Sequence, residues 1–414
     1  MQEKIRDMTR NPHAECPGRA LTLSLALFLA LASLLLPACD NDDPGSQESV
    51  NSFVPPDQQG PFAVGNAWYV MTDSSRWDRS TQSYRQLPVE VWYPADPEAA
   101  GQEQAKIIEF VHDPWSDLVL AIFSLLLPPD ELNNLYQNTG SVYQAPVARA
   151  SAPFPLIIFS HGNGGIRFQN HTLARHLASH GFIFAAPDHT ENAVFTGLPE
   201  DLVIYNPLLM GKSSSDRPKD IGFIIDTLLE LNTPGSGDRM EGAIDPDKIG
   251  VAGHSFGGQA VMSEVQMDDR IRAGLNLAGP WISIALFNLH VPMMYMIGLE
   301  DRTVGFPYNP FIVDTYEHSP APRFLLEFPD GGHYTLTDAC GLAPSLFGTG
   351  DGCGEGERLK DDSPFVFIDP DLAQDIQHGY VTAFFGLSLK GDERYTPYLS
   401  ANHFPEYINF EYAF

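Results

Sequence analysis

The pentapeptide Gly253-His254-Ser255-Phe256-Gly257 constrains this chain more than any other feature. It follows an apolar run, Ile249-Gly250-Val251-Ala252, and precedes Gly258 and a helix-compatible run, Gln259-Ala260-Val261-Met262. That order predicts strand, sharp turn, helix. A serine in G-x-S-x-G at such a junction sits on a nucleophile elbow. The turn is so tight that positions two before and two after the serine tolerate almost no side chain. Glycine meets that demand and accepts backbone angles that other residues resist. The hydroxyl is pushed out at the end of a strand. The following helix points its positive end at the reacting centre, where negative charge develops. A glycine-rich turn alone is a weak signal; its place between strand and helix makes Ser255 a candidate nucleophile.

A serine hydroxyl is a poor nucleophile until a base takes its proton. That base is a histidine held by a carboxylate, and on elbow folds the chain order is serine, acid, histidine. Downstream of Ser255 stand His290, His318, His333, His378 and His403. His333 fits best, because Pro329-Asp330-Gly331-Gly332-His333 follows the apolar run Phe324 to Phe328 and can bend inward at its glycines. His290 precedes a strand, His378 falls on a helix, and His318 and His403 have no strand before them. For the acid, Asp301 comes just past the run Met293 to Ile297. Glu300 is the neighbouring alternative, and Asp330 is too close to His333 in sequence for the usual geometry. The tetrahedral intermediate needs two N–H donors. One is expected from Phe256, after the nucleophile, and the other from Asn163 in the glycine-rich loop His161-Gly162-Asn163-Gly164-Gly165.

The rest of the chain alternates strands with helices. Leu156-Ile157-Ile158-Phe159 is continuously apolar, as expected of a strand buried on both faces. Phe168 to His180 reads as a helix, with Leu173 and Leu177 one turn apart and Gly181 as a stop. Phe182 to Ala186 is the next strand. Lys219 to Leu231 is helical, and the elbow strand follows. Strands at Ala273–Leu277, Met293–Ile297 and Phe324–Phe328 come next, then a helix over Leu372 to Phe385. Such alternation predicts an α/β fold, a mostly parallel sheet covered on both faces. Earlier, Phe62 to Thr72 and Leu87 to Tyr93 read as strands, with polar residues 73–84 turning between them. Residues 99–150 read as an insertion. Its apolar segment Leu118 to Leu127 is too short to span a bilayer as a helix. It is expected as a buried helix, with a lid over the site or a surface that touches lipid as the alternatives.

These motifs resemble the α/β-hydrolase superfamily, in the branch of dienelactone-hydrolase-like proteins, type II platelet-activating-factor acetylhydrolases and cutinase-like polyester hydrolases. The matching pieces are Leu87 to Pro94, Ser160-His161-Gly162, Pro187-Asp188-His189, Gly253 to Gly258, Gly298-Leu299-Glu300-Asp301 and Gly331-Gly332-His333. The resemblance implies an α/β-hydrolase fold, a serine ester hydrolase and no cofactor or metal. It also implies that Trp281, in Ala278-Gly279-Pro280-Trp281, lines the acyl pocket as in polyester hydrolases. In the mammalian acetylhydrolases the acid follows the strand next after the nucleophile. This chain has Asn276 to Gly279 there and no aspartate, so the acid fits the later position, Asp301. Candidate substrates are short-acyl esters, acetylated or oxidised phospholipids and polyesters. Amide or peptide hydrolysis by the same residues is a second reading, and a non-catalytic binding lipoprotein a third.

The N-terminal residues read as targeting rather than fold. Lys4, Arg6, Arg10 and Arg19 precede an uncharged apolar run, Leu21 to Leu36, and then Leu36-Pro37-Ala38-Cys39. A basic stretch, an apolar stretch and small residues before a cut make an export signal. Cys39 resembles the lipidated cysteine of a bacterial lipobox, although Pro37 stands where a small residue is commoner. A plain cleaved signal or a membrane helix are the alternatives. The expected organisation is a signal peptide over 1–38, a flexible tether over 39–60 and a catalytic domain over 61–414, exported and lipid-anchored in a bacterial envelope. With Cys16 in the signal and Cys39 lipidated, Cys340 and Cys353 remain as an expected disulfide. The net charge of -29 argues against nucleic acid, whose phosphates require clustered Lys and Arg.

Overall fold

The computed structural model describes residues 53–348 and 350–414. The expected export signal and Cys39 lie outside them. Strands β1 (Ala63–Asp78) and β2 (Ser83–Ala95) form a hairpin, and helices α1 (Ser116–Leu126) and α2 (Pro129–Asn134) follow. After them come β3 (Val142–Tyr143), β4 (Phe154–Ser160), α3 (His171–Ser179) and β5 (Ile183–Pro187). A small hairpin, β6 (Phe195–Gly197) and β7 (Leu202–Ile204), precedes α4 (Met210–Leu231). The second half runs β8 (Ile244–His254), α5 (Phe256–Met267), β9 (Ile271–Leu277), β10 (Met293–Gly298), α6 (Gly305–His318) and β11 (Arg323–Phe328). It closes with the short α7 (Ala339–Leu342) and α8 (Pro344–Phe347), the hairpin β12 (Glu355–Glu357) and β13 (Pro364–Val366), α9 (Pro370–Lys390) and β14 (Asn409–Ala413).

The large sheet has the order β14-β11-β10-β9-β8-β4-β5-β2-β1-β3. Its centre, from β11 to β5, is parallel, and β2 and β14 join antiparallel. The sheet is therefore mostly parallel and flanked by helices, as expected. The apolar run of β4 explains why both faces are covered. Leu156 and Ile158 pack with Ile221, Ile224 and Leu228 of α4, whereas Ile157 and Phe159 pack with Leu173 and Leu177 of α3 and Phe384 of α9. Successive side chains of a strand point to opposite faces, so each face receives two of the four. Burying a large apolar side chain contributes roughly 1.5–3 kcal/mol, and the parallel arrangement follows from needing both faces dry.

Several elements depart from expectation for identifiable reasons. The polar stretch 73–84 is not a loop. Both strands of the hairpin run through it, because Asp73, Asp78 and Arg85 are buried in ion pairs with Arg76, Lys212 and Asp220. Helix α4 starts nine residues before Lys219, passes through Pro218 and buries Arg217 and Asp220. Residues 53–60 are not free tether. Pro56 O accepts from His176 Nε2 at 2.8 Å, Gln58 O accepts from His180 Nε2 at 2.7 Å, and Gly60 N–H donates to Ser179 Oγ at 3.0 Å. In the insertion, α1 is not a buried helix. Val119 is buried, but Leu118, Ile122, Leu125 and Leu126 are exposed. No helix among the described residues is long and apolar enough to cross a membrane.

Candidate active site

Ser255 stands between β8 and α5 at φ 54°, ψ -117°. A positive φ is costly for a side chain bearing Cβ and persists only where the surroundings enforce it. Here the turn is wedged between two strands. A Cβ on Gly257 would lie 1.9 Å from Ser160 O, and one on Gly253 2.4 Å from Gly257 O. Ser255 N–H is tied to Leu277 O at 2.7 Å. Its Oγ has no hydrogen-bond partner among the described residues and faces a cavity.

His333 follows β11 and begins a short 3-10 turn. Its Nδ1 lies 2.7 Å from Asp301 Oδ2, between β10 and α6. The carboxylate fixes the proton on Nδ1, so Nε2 is left as the basic nitrogen. Asp301 is fully buried. Burial alone would raise its carboxyl, but bonds from His333, Val304 and Gly305 outweigh that and hold it below the usual carboxylate range. Of the alternative acids, Glu300 binds Arg358 and Leu359 N–H, and Asp330 pairs with Arg358. Neither reaches His333. Ser255 and His333 line the same cavity without a hydrogen bond between them. Such bonds are often long before substrate binds. His254 donates from Nε2 to His333 O at 3.0 Å and is kept neutral at about 3 by burial and by His333.

Asn163 also lines the cavity. Its side chain is held at both ends, by Tyr205 OH at 2.7 Å and Asn192 Nδ2 at 2.8 Å. Neither Asn163 N–H nor Phe256 N–H has a protein acceptor among the described residues. The structure thus brings Ser255, His333, Asp301, Asn163 and Phe256 to one place. The cavity holds about 290 Å³ and is walled by Ile107, Phe123, Leu127, Leu135, Phe168 and Leu342 among others. Insertion 99–150 supplies the first four. Trp281 is not among the lining residues. It is half-buried and packs against the core cluster that includes residues of α4 and α5. In the turn between β9 and Trp281, Asn276 Oδ1 accepts Gly279 N–H at 2.7 Å.

Sequence reasoning missed two groups. Cys340 and Cys353 are disulfide-bonded as expected, and their loop carries Asp351. Asp351 Oδ1 accepts from His333 N–H and Arg302 N–H, both at 2.9 Å, and Oδ2 accepts from Thr303 Oγ1 at 2.6 Å. One carboxylate therefore ties the His333 loop to the loop that follows Asp301. The second group is a fully buried array, Ser160–His189–Asp220. Ser160 Oγ lies 2.8 Å from His189 Nε2, and His189 Nδ1 lies 2.8 Å from Asp220 Oδ2. Only the dipeptide Asp188-His189 hinted at it.

The fold is that of the α/β-hydrolase superfamily, and the comparisons with known proteins are to its ester hydrolases. Residues 48–201 match the family "Platelet-activating factor acetylhydrolase, isoform II", a stretch that carries the Ser160–Gly165 loop and ends before Ser255. The chain is 25% identical to a "Probable 1-alkyl-2-acetylglycerophosphocholine esterase" of Arthroderma benhamiae, over 86% of this chain and 94% of that one. It is 31% identical to the platelet-activating factor acetylhydrolase of Cavia porcellus, over 31% of this chain and 35% of the relative. Among solved structures it is similar to a ferulic acid esterase from Streptomyces cinnamoneus, with a TM-score of 0.60 and 26% identity, covering 80% of this chain and 91% of that one.

Proposed function

We propose that this protein is an exported, lipid-anchored esterase working through Ser255, His333 and Asp301. His333 Nε2 takes the proton as Ser255 Oγ attacks the ester carbonyl. Asp301 stabilises the imidazolium, and the N–H groups of Asn163 and Phe256 hold the oxyanion. The imidazolium then protonates the leaving alcohol, and water frees the acyl group by the same route in reverse. The observation that carries this reading is one cavity shared by a strained, unbonded Ser255 and by His333, which sits 2.7 Å from buried Asp301. The apolar wall favours an ester with an apolar arm. The similarity to acetylglycerophosphocholine esterases makes acetylated phospholipids the first class to try, with polyesters behind them. Export and anchoring through Cys39 rest on the sequence pattern alone.

The test is hydrolysis of p-nitrophenyl esters from acetyl to long acyl, then of an acetylated phospholipid, by protein beginning at Asp40. The expected result is activity that falls with acyl length. Absence of turnover across the series and the phospholipid would sink the reading. Palmitate labelling of the full chain, lost in Cys39→Ala, checks the anchor.

A further inference from the structure

Arg217 lies in α4 and is fully buried, yet no carboxylate among the described residues pairs with it directly. All its donors go elsewhere. Nη1 donates to Ser160 Oγ at 2.8 Å and to His161 O. Nη2 donates to Gly162 O at 3.1 Å and to Asn192 Oδ1. Nε donates to Ser213 Oγ at 3.3 Å. An arginine has five N–H donors in a rigid planar fork, and here every one is used.

Two of those acceptors bear on the catalytic loop. Gly162 O and Asn163 N–H belong to the same peptide unit, which is planar and trans, so the two groups point in opposite directions. Gly162 O accepts from Arg217 Nη2, from His161 Nδ1–H at 2.6 Å and from Gly165 N–H at 3.1 Å. Those bonds fix the plane of the peptide and with it the direction of Asn163 N–H, which borders the cavity. Asn192 extends the same support, bonding both Arg217 and the Asn163 side chain. On its other side, the guanidinium carbon lies 4.9 Å from the ring centroid of Phe256, whose N–H is the second donor. One buried cation therefore touches both halves of the oxyanion hole.

We infer that Arg217 is a positioning residue that sets the oxyanion hole, fixing the Gly162–Asn163 peptide with its N–H toward the substrate and bracing Phe256. The inference rests on the catalytic reading above. An oxyanion donor acts on the transition state and not on bound substrate, so losing its alignment lowers kcat and leaves KM in place. Removing one such donor typically costs about 10²–10³-fold in kcat.

The experiment measures kcat and KM for Arg217→Lys and Arg217→Gln on p-nitrophenyl acetate, with inhibition by a trifluoromethyl ketone whose adduct on the serine carries an oxyanion. Wild type and Ser255→Ala are assayed alongside, so a failure of the esterase reading shows in them and not in the Arg217 variants alone. The expected result is kcat lower by about 10²-fold in Arg217→Gln, less in Arg217→Lys, with KM unchanged and inhibitor affinity falling in parallel with kcat/KM. A folded Arg217→Gln with kcat and inhibitor affinity within about threefold of wild type overturns the inference, as does a loss confined to KM. Should the Arg217 variants not fold, Asn192→Ala decides. It removes one Arg217 acceptor and the Asn163 brace, so kcat should fall about tenfold at constant KM; an unchanged kcat overturns the inference.

Discussion

Two Ser–His–Asp arrays occupy this molecule, and their chemistry is opposite. In Ser160–His189–Asp220 every side chain is fully buried. The Ser160 hydroxyl donates to His189 and accepts from Arg217, and Asp220 is shared with Arg85 and Arg76. His189 is held down at about 4, first by burial and then by the Arg217 charge. Such an array is a polar strut: each side chain is hydrogen-bonded within the protein and closed off from solvent. In Ser255–His333–Asp301 the serine is strained, its Oγ is unbonded, and serine and histidine open on a cavity. The same three residue types thus brace a fold in one place and, in the function proposed above, present a nucleophile in another. What separates them is access, an unoccupied hydroxyl and an imidazole with one nitrogen free.

That contrast breaks most sharply at the serines. Ser255→Ala should lower kcat on p-nitrophenyl acetate by on the order of 10⁴-fold or more. Ser160→Ala should stay within about tenfold of wild type and lose about 1–3 kcal/mol of stability, because it strands a buried donor and acceptor. Equal losses in the two variants would erase the distinction. The aspartates come next. Asp301→Asn should cost roughly 10³–10⁴-fold in kcat by turning His333 to the wrong tautomer. Asp220→Asn should instead cost about 3–5 kcal/mol in urea unfolding, because buried Arg85 loses its two-pronged partner and keeps only the longer Asp78 and Asp216 contacts. Asp351→Ala, which frees the His333 loop from the loop that follows Asp301, should lower kcat by up to about 10²-fold while Ser255 remains reactive toward a phosphonate. The smallest effect is in pH. His176 and His180 are pushed by burial to about 4 and about 3, and His189 to about 4. In the unfolded chain these groups titrate near the ordinary value of about 6.5. Below that pH the unfolded chain takes up protons that the folded chain refuses. Their contribution is therefore complete above about pH 6.5 and is lost as pH falls toward 4. The Tm should drop over that interval, and less steeply in His180→Gln; a Tm flat from pH 7 to 4.5 would contradict the assignment.

The legible parts of the sequence were those written locally. Leu156 to Phe159 and Met293 to Ile297 announced their strands because burial on both faces leaves an unbroken apolar run, and Phe324 to Phe328 is broken only at Glu327. Ser255, Asp301 and His333 were readable because each follows such a run in the order an elbow fold demands. Arg217, Asp220 and Asp351 were not. Each acts through partners far away in sequence, such as Arg217 on Gly162 and Asp351 on Arg302 and His333. Their local surroundings look like any solvated polar stretch. Pro218 hid the first half of α4 by suggesting a helix start. Residues 53–60 looked like tether because their anchors are backbone carbonyls, and the sequence does not mark which carbonyls meet a histidine. Trp281 was placed by likeness alone; it is packed against the core cluster that holds Ile312 and Tyr316 of α6.

The most direct measurement is reaction with a fluorophosphonate, followed by peptide mass spectrometry and residual activity on p-nitrophenyl acetate. The account predicts a single adduct, on Ser255, with activity lost in proportion to labelling and Ser160 unmodified. Activity that survives complete labelling of Ser255, or an adduct that appears on another serine while Ser255 stays free, would contradict it.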